Sequence, residues 1–105
     1  MKVKNEIIKK IKSMGYKLGC YDDSLSKLTN KALKEVIKHL DEDSTDVFLM
    51  IRNKLYVVEI STVDNEKDVK LYEGLSYFRQ YGNLEDALDN NDISENLYNQ
   101  YKELI

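Results

Sequence analysis

Hydrophobic positions along the chain fall into blocks of different period, and the periods predict its elements. Val3, Ile7, Ile8, Ile11 and Met14 recur at three- and four-residue steps among Lys and Glu, then Gly15 follows. This spacing predicts a first helix over 3–14, ended by a residue that accepts a left-handed backbone. Tyr16, Leu18 and Cys20 then alternate with polar residues and glycine, which fits a short extended segment. In LTNKALKEVIKHL, Thr29 is placed to cap the next turn, Leu28 and Leu33 occupy hydrophobic-staple positions, and Leu33, Val36, Ile37 and Leu40 form one stripe. A second helix over about 30–41 is expected.

The segment TDVFLMIRNKLYVVEISTV is the strongest strand material, two β-rich runs around Asn53-Lys54, a pair able to serve a two-residue hairpin turn. If Arg52 pairs with Leu55, then Val47, Leu49, Ile51, Tyr56, Val58 and Ile60 share a uniformly apolar face. The other face, with Asp46, Phe48, Met50, Arg52, Leu55, Val57, Glu59 and Ser61, is mixed and open to water or a partner. A polar loop at VDNEKD follows. Val69, Tyr72, Leu75 and Phe78 then return to helical spacing, which ends at Gly82. Asn83 is expected to start a short turn through Leu88, and Asp92 with Glu95 forms capping-box spacing before a last helix with Ile93, Leu97, Tyr101 and Leu104. The expected architecture is α+β: one domain over 1–105, with a central antiparallel hairpin packed against about four helices. The Tyr16–Cys20 segment is available as a third strand.

Composition sharpens this picture. A chain of 105 residues, 42% hydrophobic and 33% charged, has material for one core and is not the composition of a disordered chain. No apolar run approaches the ~20 residues that span a bilayer, and the single cysteine, Cys20, permits neither an internal disulfide nor a cysteine-based zinc site. A cytoplasmic location and no cofactor are therefore expected. Charge is uneven: residues 1–63 carry 12 Lys+Arg against 9 Asp+Glu, and residues 64–105 carry 4 against 10. Basic and acidic surfaces should thus lie on different elements.

Candidate chemistry is sparse. His39, the only histidine, falls near a helix end on its polar side, where the helix dipole or solvation accounts for it. Cys20 reads as a small buried apolar residue. No phosphate-cradling glycine loop or EF-hand spacing is present. On the hairpin, Asp46 would face Ser61 with Glu59 as its diagonal neighbour, and two carboxylates that close could hold a divalent metal. TDVFLMIRNKLYVVEIS thereby resembles the hairpin core of the PD-(D/E)xK nuclease superfamily. That resemblance implies phosphodiester hydrolysis with Asp46 and Glu59 as metal ligands. It covers under a fifth of the chain, and Ser61 stands where the family has its lysine, so Lys54 or Lys67 would have to supply the charge on the transition state. The alternative is that Asp46 and Glu59 are ordinary acids on the wetter face of a sheet.

The acidic C-terminal third offers a different possibility. Glu85, Asp86, Asp89, Asp92, Glu95 and Glu103 interleave with Tyr98 and Tyr101. Spaced carboxylates can imitate the charge pattern of nucleic acid and engage the basic groove of a nucleic-acid-binding protein, with tyrosines as anchors, or they can form a solvated helix face. The basic first helix, with Lys2, Lys4, Lys9, Lys10 and Lys12, contains no arginine, and direct nucleic-acid binding is not expected at pI 5.2. In size, composition and style, rich in Lys, Asn, Ile and Tyr without Pro or Trp, the chain resembles the small accessory proteins of phages and mobile elements of low-GC bacteria, anti-CRISPR proteins among them. That resemblance implies a non-enzymatic inhibitor that binds a host effector stoichiometrically, the contact residues being Glu85, Asp86, Asp89, Asp92, Glu95, Tyr98 and Tyr101. A third reading is a self-associating module that pairs through an exposed hairpin edge.

Overall fold

The computed structural model describes residues 2–105, with side chains from Lys4 onward, so the parts expected of the Lys2 and Val3 side chains lie outside the described residues. Its elements are α1 (Lys2–Ser13), β1 (Lys17–Tyr21), a 3-10 turn (Asp23–Lys27), α2 (Asn30–Lys38), β2 (Ser44–Ile51), β3 (Lys54–Val63), β4 (Glu66–Glu73), α3 (Gly74–Tyr81), α4 (Leu84–Asp89) and α5 (Glu95–Leu104). The fold is α+β. Its sheet has four strands in the order β1-β4-β3-β2, with β1 parallel to β4. Backbone contacts divide the chain into two compact units, Met1–Val47 with Val58–Leu71, and Phe48–Val57 with Tyr72–Ile105.

Two tight turns organise the strands. Arg52-Asn53 and Asp64-Asn65 all have positive φ, between 50° and 65°, as a two-residue type I′ turn requires of both central residues. The first turn lies one residue earlier than the sequence suggested, because Asn53 takes the second left-handed position instead of the first. It therefore closes on Ile51 and Lys54. The same residues keep their faces, but an uninterrupted ladder sets Asp46 across from Glu59 instead of Ser61.

The second turn replaces the expected loop. Residues 66–73, expected to end in a helix that began near Val69, form strand β4, and helix α3 starts only at Gly74. A Cβ at Gly74 would lie 2.9 Å from Leu55 Cβ and 3.0 Å from the Leu55 carbonyl oxygen, so glycine is what lets α3 start against β3.

In the first unit, Ile7, Ile11, Leu25, Val36, Leu40, Val58, Ile60 and Val69 are fully buried. Thr29 caps α2 as expected, its Oγ1 accepting from the Ala32 N–H at 3.2 Å. Two lysines hold the chain at and beyond the other end of that helix: Lys10 Nζ donates to Ile37 O in its last turn and Lys67 Nζ to Glu42 O in the segment leading to β2, each at 2.6 Å. Lys67 is fully buried, its Nζ also 4.9 Å from the Tyr16 ring centroid.

Strand β1 is irregular between Leu18 and Tyr21. The Cys20 N–H donates to Asp68 Oδ1 at 2.7 Å, and a Cβ on Gly19 would clash with that same oxygen. Cys20 itself is exposed, not buried as the sequence suggested, because it falls in the irregular stretch of an edge strand where the inward–outward alternation is broken. Asp22 fastens the following segment, accepting from the amides of Ser24 at 3.0 Å and Leu71 at 3.2 Å.

In the second unit, Leu55, Val57, Tyr77, Phe78, Ala87, Ile93, Leu97 and Tyr101 form one buried cluster, edged by Phe48, Tyr72, Leu75, Leu84, Leu88 and Tyr98. Leu55 and Val57, expected on an open mixed face, are instead covered by side chains of α3, α4 and α5. Helix α5 is capped by Ser94, whose Oγ accepts from the Leu97 N–H at 3.2 Å, two residues after the cap expected at Asp92 in its capping box with Glu95.

Candidate binding groove

Helix α3 ends at Gly82, whose N–H donates to Phe78 O at 2.8 Å, and Asn83 follows in the left-handed region. This two-residue break turns the chain from α3 into α4. A groove of about 390 Å³ opens beside it, with Phe78, Leu84 and Tyr98 giving apolar surface and Glu85 and Asp86 standing at its edge. Both acids are exposed and sit in the first turn of α4, where the amide ends of the helix favour negative charge. Lys102 also lines the groove, with its Nζ 5.8 Å from the Tyr98 ring centroid.

The groove brings together Glu85, Asp86 and Tyr98 of the residues singled out by sequence. Asp89, Asp92 and Glu95 do not line it; they follow one another through the end of α4, the intervening turn and the start of α5. Asp89 and Glu95 are exposed. Asp92 is half-buried, and burial raises its pKa above the ordinary aspartate value. Tyr101, expected as a surface anchor, lies in the core with 8% of its surface exposed and its ring centroid 6.1 Å from that of Phe78. Its pKa is raised by burial, opposed by the Leu55 backbone amide. The helical period that placed Tyr101 beside Tyr98 also turned it inward with Leu97.

Sequence reasoning missed Phe78, Leu84 and Lys102 as groove residues. Gly82-Asn83 was the available signal, since a helix break between two apolar blocks is where such a hollow can form.

The hairpin carboxylates are differently placed. Asp46 is exposed on β2 and Glu59 half-buried on β3. No group of three or more His, Cys, Asp or Glu side chains suited to a metal ion occurs among the described residues. Both lysines considered for the missing family position are engaged: Lys67 with Glu42 and Tyr16, and Lys54 with Glu73 at 3.3 Å, a bond that raises the Lys54 pKa. His39 ends α2 and stands 2.6 Å from a Glu42 carboxylate oxygen. Of the basic first helix, Lys4 pairs with Asp23 at 3.0 Å beside a hollow of about 350 Å³ that Tyr21 and Leu33 also line. No helix among the described residues is long and apolar enough to cross a membrane. No family model matches the chain, and comparison with curated proteins and with solved structures finds no match.

Proposed function

We propose that this chain is a non-enzymatic binding module that engages a nucleic-acid-binding effector stoichiometrically through the groove beside α4. The observation that carries this reading is the pairing of exposed Glu85 and Asp86 with an adjoining hollow of about 390 Å³ that contains Phe78, Leu84 and Tyr98. Interface anchors combine such features: an aromatic-lined recess takes a side chain, and carboxylates at its edge select a cationic one. Residues 72–105 of the same unit carry 7 Asp+Glu against 2 Lys+Arg and so keep the same sign of charge. Size and composition favour a phage- or mobile-element-encoded inhibitor of a host CRISPR-type effector as the form this binding takes.

The test is affinity capture from a low-GC bacterial lysate on immobilised wild-type protein and on a Glu85→Lys/Asp86→Lys variant. A specific partner should be retained by the wild type, released by added duplex DNA and lost from the variant. Retention of the same partner by both forms, with or without DNA, would remove the basis for the reading.

A further inference from the structure

The two edges of the sheet are treated differently. Strand β1 has five residues, opens on Lys17 and is interrupted at Gly19-Cys20, features that discourage a further strand from adding. Strand β2 at the opposite edge has eight residues, STDVFLMI, with no lysine, proline or glycine. In the ladder closed by the Arg52-Asn53 turn, Ile51, Leu49 and Val47 direct their backbone groups towards β3. The N–H and C=O groups of Ser44, Asp46, Phe48 and Met50 then point outward. Met50 is 42% exposed, an apolar side chain flanking that row of backbone groups.

We infer that β2 pairs with β2 of a second copy of this chain, antiparallel and centred on Phe48, to give a continuous sheet across a two-fold axis. Charge selects this occupant. The acidic residues Asp43 and Asp46 lie at the start of β2, and Arg52, exposed and without an ion-pair partner among the described residues, lies just past its end. Antiparallel pairing about Phe48 sets Asp46 opposite Met50 of the other copy and Arg52 opposite Ser44. Each Arg52 then lies diagonally beside the other copy's Asp46, within reach of long side chains. Because the axis repeats the arrangement, both ends of the junction are complementary.

Sedimentation equilibrium tests this with three variants. Wild type should sediment at twice the 12.3 kDa chain mass. Met50→Pro removes an outward N–H, a change an edge strand tolerates, and should give a folded monomer by circular dichroism. Arg52→Glu should weaken the dimer about tenfold, and adding Asp46→Arg to it should restore wild-type association, since the swap rebuilds both diagonal pairs. The restoration is informative even if Met50→Pro fails to fold. A wild type that stays monomeric up to its solubility limit would overturn the inference, leaving β2 bare or open to a foreign strand. So would a dimer indifferent to both Met50→Pro and Arg52→Glu.

Discussion

Replacing Lys67 separates the two ways in which a buried lysine can be held. Its ammonium makes one hydrogen bond, to Glu42 O at 2.6 Å, and lies 4.9 Å from the Tyr16 ring centroid, while the whole residue is excluded from solvent. Lys67→Met keeps an unbranched stem and removes the charge. A charge-assisted hydrogen bond contributes about 1.5–3 kcal/mol, and the cation–ring attraction adds roughly 0.5–2 kcal/mol. Against these stands a desolvation penalty of several kcal/mol for a buried ammonium, which methionine never incurs. Glu42 is exposed, so water can take the place of the lysine at its carbonyl. The terms nearly cancel, and Lys67→Met should fall within about 1 kcal/mol of wild type.

Lys67→Ala additionally removes three methylenes, at about 0.8 kcal/mol each, and leaves a cavity between β4 and Tyr16. Its cost should be about 3 kcal/mol. Urea unfolding followed by circular dichroism reads both, because at ~1.5 kcal/mol per molar urea alanine moves the midpoint down by ~2 M and methionine by less than ~1 M. A methionine variant as unstable as the alanine variant would refute the reasoning, since the ammonium contacts would then outweigh the packing of the stem.

Three further outcomes follow from single contacts. The Ser24 side-chain hydrogen bond, with the Ser24 and Leu71 amides, holds the Asp22 pKa below the usual aspartate value. Its contribution is present above the unfolded-state pKa and is lost as pH falls through the folded one, so Asp22→Asn should be less stable than wild type at neutral pH and converge with it in acid, read as urea midpoints from neutrality downward. Gly19→Ala and Asp68→Ala both break the Asp68–Cys20 contact, so the double variant should be little worse than the poorer single one, whereas full additivity in melting temperature would contradict a shared contact. Gly74→Ala should destabilise the chain in thermal unfolding despite alanine's better helix propensity, because its Cβ would meet Leu55; a gain in melting temperature would show that α3 can move away.

How much of this was legible in the sequence depended on whether local pattern and tertiary role agreed. Helix α2 was readable because Thr29, Leu28 and the Leu33–Leu40 stripe all point to the same helix. The β2–β3 hairpin was readable because both runs are apolar and β-rich. Strand β4 was hidden by Lys67: a buried lysine breaks the alternation that Val69 continues, while Val69 and Tyr72 happen to fall three residues apart and imitate a helix. The coverage of Leu55 and Val57 was hidden for a different reason, since their neighbours on the same face, Asp46, Arg52 and Glu59, suggested water. At the groove, acids and tyrosines were visible as residue types, but which tyrosine faces out depends on where Ser94 starts α5. Tyr98 remained at the surface and Tyr101 went to the core.

The central claim, that the acidic groove is a protein-binding surface, is most directly tested by titrating the captured partner calorimetrically with wild type and with Glu85→Lys/Asp86→Lys. The account predicts one-to-one binding per chain, weakened by the double variant at least about tenfold, or ~1.4 kcal/mol. It also predicts a wild-type affinity that falls as salt rises, because exposed charges are screened. Equal affinity for both forms, independent of salt, would contradict it.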